Sequence, residues 1–385
     1  MDDRSKLVII SSINVSDMNA PAIHLLSLTK QLSTMDYEIV LIVPEYENDL
    51  PIQLPDANIS VEKTKKLKLP GIPNSLSALA QIWALWRHRR CAKLYIRTGP
   101  LSFILSFSAR LFGYRHIVME VNGWLADELK IMGYPRLLAS IYDRLQLAEL
   151  KIANAIRVVT PKLKTLLADS SIDQKKIHII ENGTDIDLFY PLDRKTFRKE
   201  YQLSDEIKYL VFAGNLTNWQ DLGTVFKAMS IVLAAGYHIE FIIIGDGREK
   251  ERFVQEAEQT GLIDKIHFTG AKTPLVVNQY FNACDIGVAP FCKQLTDRNG
   301  RSPLKVRDYA AAGLPIVTSR FPGLEEMKDE IWLSLAEAEN VDEFAAALIR
   351  QLEKNTGLER KTARDYAEKH FSWERVADNL RQLIN

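Results

Sequence analysis

The sequence predicts an α/β fold in which two doubly wound, Rossmann-like domains face a central cleft. Three observations carry this. Short apolar runs alternate with helical patterns twice along the 385 residues; a Pro- and Asn-Gly-punctuated stretch separates the two series; and the polar, Gly-containing segments fall just after strands. In the first series, strands are expected at Leu7–Ile13, Glu38–Val43, Lys93–Ile96, His116–Val121 and Ile156–Val159. Helices are expected near 20–34, 76–90, 101–112, 136–154 and 161–169. In the second series, strands are expected at Tyr209–Ala213, Ile239–Ile244, Lys265–Thr269, Asp285–Ala289 and Pro315–Thr318, with helices near 221–235, 248–260, 274–283 and 303–312. The punctuation lies within 185–205, so residues 1–190 and 191–370 form the two domains, and 371–385 reads as a terminal helix packing back on the first.

Bulk properties narrow the class. Lys and Arg number 49 and so do Asp and Glu, a balance that argues against a nucleic-acid binder. Cys91, Cys284 and Cys292 are odd in number and lack metal-ligand spacing, which fits small packing residues in a reducing compartment. No apolar run approaches the roughly 20 residues that span a bilayer, and the short run after Met1–Lys6 reads as a first strand rather than a leader. A cytoplasmic protein is expected, with the inner face of the membrane as a second address.

Asp297–Asp308 (DRNGRSPLKVRD) is the most informative stretch. Ser302 reads as an N-cap, Pro303 as the first helical residue and Gly313 as the residue past the end. Yet Arg298, Arg301 and Lys305 crowd the end that the peptide dipoles already make positive. A bound anion resolves that conflict, because free N–H groups and a cation together cradle phosphate. Asp308, about one turn later, offers an acceptor for hydroxyls such as those of a ribose. The alternative is an exposed Lys305–Asp308 pair at i,i+3 spacing.

Gly214–Gln220 (GNLTNWQ) follows a strand and suits close approach to a diphosphate, with Asn215 and Gln220 as hydrogen-bond donors; a plain strand-to-helix turn is the other reading. Gly245-Asp-Gly247 lacks the third glycine of a dinucleotide fingerprint. In the first domain Glu120 and Asn122 end a strand and are candidates to contact an acceptor or reacting sugar, although Glu120 also suits capping or pairing. His24, His88, His178, His238 and His267 have no partner at ligand or triad spacing. Residues 61–116 hold eleven Lys or Arg against Glu62 alone, and within them Leu76, Leu79, Trp83 and Trp86 recur at helical spacing. Such a helix fits an anionic membrane surface or acceptor, or a core with a solvated cationic end.

Taken together and in order, these segments resemble the retaining GT-B glycosyltransferases of family 4 (glycosyl transferases group 1). Ser302–Ser319 resembles the family's donor segment in its S-P-x-K-x-x-E-Y form, Gly214–Gln220 its glycine turn, and Ile180–Pro191 its interdomain N-G-x-D-x-x-x-F-x-P signature. Glu120–Gly123 and Phe371–Trp373 also fit. The resemblance implies a nucleoside-diphosphate sugar, UDP-sugar favoured, in the second domain, and an acceptor hydroxyl on a glycan, glycolipid or small molecule at the first. Lys305 with the backbone of Ser302, Pro303 and Leu304 would hold the diphosphate and Asp308 the ribose. Glu120, Asn122 and Lys305 are the expected catalytic residues; Gly214, Asn215, Gln220, Arg298, Gly300 and Arg301 complete the donor site. The chain departs from the family at Asp308 (glutamate in the family), at Gly300 (the sugar-contacting glutamate), at Asn215 and Gln220 (arginine and lysine), and at Asn122 (histidine). Metal-independent transfer with retained configuration is expected, with no cofactor and no nucleic-acid partner. A GT-B sugar-nucleotide epimerase and a noncatalytic GT-B-like binding protein are the alternatives.

Overall fold

Strands whose side chains are apolar on both faces suit only a sheet covered on both sides, and the observed strands have that character. The computed structural model describes residues 5–17, 20–35, 37–45, 58–65, 75–91, 93–131, 133–293, 302–354 and 357–385. The chain divides into two units: Met1–Asn182 with Trp373–Asn385, and Gly183–Ser372. The boundary thus falls before the 190 and the 185–205 window read from the sequence.

In the first unit β1 (Ser5–Ile10), β2 (Tyr37–Pro44), β3 (Ile59–Thr64), β4 (Lys93–Arg97), β5 (His116–Val121), β6 (Ala155–Val158) and β7 (Ile177–Ile179) form one sheet. Its order is β3-β2-β1-β4-β5-β6-β7, and every pairing is parallel. β1 is shifted two or three residues from the expected 7–13, and β3 was not legible because Ser60, Glu62 and Lys63 break the apolar run on what is an edge strand. The expected helix 136–154 is Arg136–Lys151, preceded by a separate short helix, Leu125–Ile131. Helix Trp373–Ile384 belongs to this unit: Tyr37 donates to Asn385 Oδ1 at 2.7 Å, the Leu383 carbonyl lies 2.6 Å from His116 Nε2, and Trp373 packs on His24 with centroids 4.9 Å apart.

The second unit repeats the architecture with β8 (Lys208–Ala213), β9 (Ile239–Ile244), β10 (Ile266–Gly270), β11 (Ile286–Ala289), β12 (Ile316–Ser319) and β13 (Leu333–Ala336). The order is β10-β9-β8-β11-β12-β13, again all parallel. Each sheet reverses its direction of growth once, at β1/β4 and at β8/β11, and a doubly wound sheet binds its ligands at the carboxyl ends of the strands flanking such a point. The Gly214 loop leaves one of those strand ends. The two chain segments that join the units run side by side inside the second: Thr184 N–H donates to the Phe371 carbonyl at 2.7 Å, and Thr184 bridges to Ser372.

Candidate functional site

β8 ends at Ala213, and the chain turns at Gly214 directly over Lys305: a Cβ at Gly214 would lie 3.0 Å from Lys305 Nζ. The neighbouring loop after β9 comes closer still. A Cβ at Gly245 would stand 1.9 Å from the Gly214 carbonyl oxygen, so the two backbones touch only because Gly245 has no side chain. Lys305 lies in the first turn of helix Leu304–Ala311. Tyr309, one turn on, fixes that helix to the sheet: its hydroxyl accepts from Ala213 N–H at 3.0 Å and donates to the Val288 carbonyl at 3.2 Å. Gly287 leaves room for the Tyr309 ring, which a Cβ would meet at 2.7 Å.

The helix begins one residue later than expected. Pro303, not Ser302, is the N-cap, and it supplies no side-chain hydrogen bond to the first turn; a proline ring has no acceptor to offer. Pro303 thus leaves the helix N-terminus without a cap from its own side chain, and two residues on, in the first turn, stands Lys305 with its ammonium. That ammonium donates to Gln220 Oε1 at 3.1 Å and sits 3.7 Å over the Phe212 ring. Burial lowers its pKa well below that of a solvated lysine, with Asp308 opposing. Gln220 thus accepts from the lysine through Oε1, which leaves its Nε2 as the donor group, while Asn215 is exposed, beside Gly247. Arg298, Gly300 and Arg301 lie outside the described residues.

Asp308 is half-buried, and its Oδ1 accepts from the Thr184 hydroxyl at 2.6 Å. Burial raises its pKa to about 7, the Thr184 hydrogen bond and Arg307 working in the other direction. Among the described residues no other side chain hydrogen-bonds this carboxylate. Next along the chain, the Asp185 carboxylate caps the following turn through Asp187 and Leu188 N–H at 3.1 and 3.0 Å.

In the first unit Glu120 is enclosed, at 1% exposure. Oε1 accepts from Arg97 Nη1 at 2.8 Å and from Asn122 Nδ2; Oε2 accepts from Arg157 Nη1 at 2.9 Å and from the Tyr95 hydroxyl. Burial works against its ionisation, but His24, Arg97 and Arg157 outweigh it and hold the pKa well below the usual carboxylate range. The His24 pKa is in turn lowered to about 4, chiefly by burial, with Glu120 working in the other direction. With both oxygens engaged by buried partners and shut from solvent, Glu120 has no free atom for the acceptor or sugar contact expected of it; the alternative reading, pairing, describes it, and it becomes a positioning residue. What it positions is Asn122: with Nδ2 spent on Glu120, the Asn122 Oδ1 is buried with no hydrogen-bond partner. Arg157 extends the same network to the Ile180 and Glu181 carbonyls and Asn182 Oδ1 at 2.9, 2.9 and 3.2 Å.

Two families match the chain in succession: Glycosyltransferase Family 4 over residues 22–188 and Glycosyl transferases group 1 over 207–354. The chain belongs to glycosyltransferase family 4. A D-inositol 3-phosphate glycosyltransferase of Mycobacterium marinum is 25% identical over 227 residues, which are 56% of this chain and 46% of that one. The chain spans about half the length of the curated relatives it matches. Among solved structures, the sucrose-phosphate synthase from Thermosynechococcus elongatus superposes with a TM-score of 0.80 at 16% identity, covering 99% of this chain and 98% of that one. Anabaena HepE, solved with UDP and glucose, gives 0.77 at 14% identity, covering 98% and 99%. These likenesses fix the GT-B fold of the chain.

Several of its site residues had no signal in the sequence reading. The Phe212 ring beneath Lys305 and the Thr184 hydroxyl on Asp308 are contacts between distant segments. Tyr95, Arg97, Arg157 and His24 surround Glu120, and the only available clue was charged residues inside otherwise apolar strands: Arg157 sits in AIRV and Glu120 in HIVMEV.

Proposed function

We propose that the chain transfers a sugar from a nucleoside-diphosphate sugar to an acceptor hydroxyl, with retention at the anomeric carbon. The observation that carries the reading is the Lys305 ammonium, held between Gly214, Gln220 and Phe212 in the first turn of a helix. Cation and N–H groups there suit the charge that develops on a departing diphosphate, and they need no reorganisation as it develops. Asp308 takes a ribose hydroxyl on Oδ2, and the Ser302–Leu304 backbone lies against the diphosphate.

In the proposed reaction the bond from the anomeric carbon to the diphosphate oxygen breaks as the bond to the acceptor oxygen forms. The acceptor proton passes to a leaving phosphate oxygen, so no strong protein base is called for and no metal is required. Asn122 Oδ1, aimed by Glu120, accepts a hydrogen bond from a sugar or acceptor hydroxyl. UDP is the favoured nucleotide, since HepE was solved with UDP and glucose. The acceptor is a hydroxyl on a glycan, glycolipid or small molecule, in polysaccharide, glycolipid or glycoconjugate synthesis. The proposed place of action is the cytoplasm, with peripheral membrane contact through residues 61–116.

Thermal-shift screening against UDP-, GDP-, ADP- and dTDP-sugars, followed by product analysis with and without acceptors, tests this. A UDP-sugar is expected to stabilise the protein and to be consumed only when an acceptor is present. Sugar epimerised without acceptor would point to the epimerase, and binding without turnover to a noncatalytic protein.

A further inference from the structure

The second unit holds a cationic cavity at the end of its sheet opposite the donor site. Asp285 stands directly before β11, and Gly313 lies between helix Leu304–Ala311 and β12, so both mark the amino ends of strands. In a parallel sheet the carboxyl ends, where Gly214 meets Lys305, lie on the far side. The cavity measures about 340 Å³, and Pro191, Leu192, Ala312 and Gly313 give it apolar walls. That volume suits a small organic molecule rather than a bare ion. Gly313, at φ +70, lets helix Gly357–His370 close on the opening: a Cβ there would stand 3.0 Å from the Arg360 carbonyl oxygen.

Four cations face this cavity: Arg194, Arg360, Lys361 and Arg364. Arg364 is occupied by the fold, donating from Nη1 to the Ile186, Phe189 and Ala311 carbonyls at 3.1, 2.8 and 2.9 Å and from Nε to Glu368 at 2.6 Å. Arg194 Nη2 pairs with Asp285 at 2.6 Å. That carboxylate also takes Arg198 at 2.7 Å and Lys208 at 3.5 Å, so one negative charge answers three positive ones. Arg360 comes as a fourth. It is half-buried, and among the described residues only its Nη2 has a hydrogen-bond partner, the Cys284 carbonyl; Nε and Nη1 are left over. Burial, then the like charge of Arg194, lowers its pKa to about 10, with Asp285 opposing. Lys361, exposed beside it, meets no carboxylate among the described residues. Both stand near the start of helix Gly357–His370, the end that its peptide dipoles already make positive. A charge withdrawn from water is normally paired, and Asp285 is already shared three ways.

We propose that this cavity binds a phosphate monoester of a small organic molecule, with the phosphate on Arg360, Lys361 and the outer edge of Arg194 and the organic body against Pro191, Leu192 and Ala312. A tetrahedral dianion accepts from cations converging from two helices, and it offsets more of the surplus than the single charge of a carboxylate. This site is separate from the donor chemistry and does not depend on it. The test is calorimetric titration of the whole chain with ribose 5-phosphate, with inorganic phosphate, and with ribonate as the carboxylate counterpart. Ribose 5-phosphate is expected to bind wild type and Lys305→Ala alike, and the other two probes at least tenfold more weakly. Arg360→Ala and Lys361→Glu should each weaken ribose 5-phosphate at least tenfold and leave UDP affinity unchanged. Lys361→Glu alters an exposed side chain, so its loss of binding does not pass through misfolding. No binding of ribose 5-phosphate or inorganic phosphate by wild type would overturn the proposal. So would binding that Lys305→Ala abolishes and Lys361→Glu keeps, which would place the phosphate at the donor site, and so would equal affinity for ribonate. Failure of UDP to bind any of these proteins would count against the donor site alone.

Discussion

The Thr184 hydroxyl donates to the Asp308 carboxylate across 2.6 Å, joining the N-G-T-D segment that opens the second unit to the donor-side helix. The proposed ribose contact falls to the other carboxylate oxygen, and the pKa stands at about 7 because burial disfavours its charge.

A ligand hydroxyl that donates to Asp308 favours the ionised form, so nucleotide affinity should fall as pH drops through about 7 by up to tenfold per unit. At the other end Lys305, its pKa depressed by burial, loses its proton as pH rises, and affinity for a diphosphate falls again. Calorimetric titration of UDP across pH should therefore trace a bell. Asp308→Asn should remove the acid limb and leave the alkaline one.

Lys305→Ala is expected to weaken nucleoside-diphosphate binding at least tenfold, about 1.4 kcal/mol. Unchanged UDP affinity in a folded Lys305→Ala protein would remove this lysine from the site.

Asp308 also sets a stability slope. Its folded pKa of about 7 exceeds the ordinary 3.8, so its contribution is fully present below the unfolded value and is lost as pH rises through about 7. Urea midpoints of wild type should decline over that window, and those of Asp308→Asn should decline less.

Glu120→Gln should destabilise the first unit by about 3–5 kcal/mol, because it leaves Arg97 and Arg157 buried without their counter-charge. Asn122→Ala should cost far less stability yet reduce transfer. Denaturation and turnover measured on the same two variants separate the positioning residue from the one proposed to meet substrate. A stable but inactive Glu120→Gln would restore a direct catalytic role.

Tyr309→Phe removes the hydroxyl that joins Ala213 and Val288 and is expected to cost about 1–3 kcal/mol. Gly245→Ala should be worse, since its methyl group has no space beside Gly214, and loss of UDP binding should accompany the destabilisation.

Much of this was legible in the chain. Apolar runs such as Ile239–Ile244 announced buried parallel strands, and helix Pro274–Ala283 starts and stops where the pattern placed it. Lys305 was legible because a cation in the first turn of a helix contradicts the dipole. What surrounds it was not, since Phe212 and Gln220 reach it from more than eighty residues away. Edge strand β3 hid behind its charged residues, and Glu120 looked available because periodicity reports burial but not what a buried charge is paired with. The helix start misled by one residue: Ser302 is the better capping residue by chemistry, yet the extended backbone of Pro303, with φ −72 and ψ 126, makes it the last non-helical position.

The first unit is interrupted in sequence by the whole of the second, and its last helix, Trp373–Ile384, follows residue 372. During synthesis the second unit therefore emerges as one uninterrupted segment, free to fold while the first still lacks the helix whose Trp373 covers His24. Deleting residues 373–385 should accordingly leave a nascent first unit open to proteolysis while the second survives as a resistant fragment. The unit begun before the second is completed only after it.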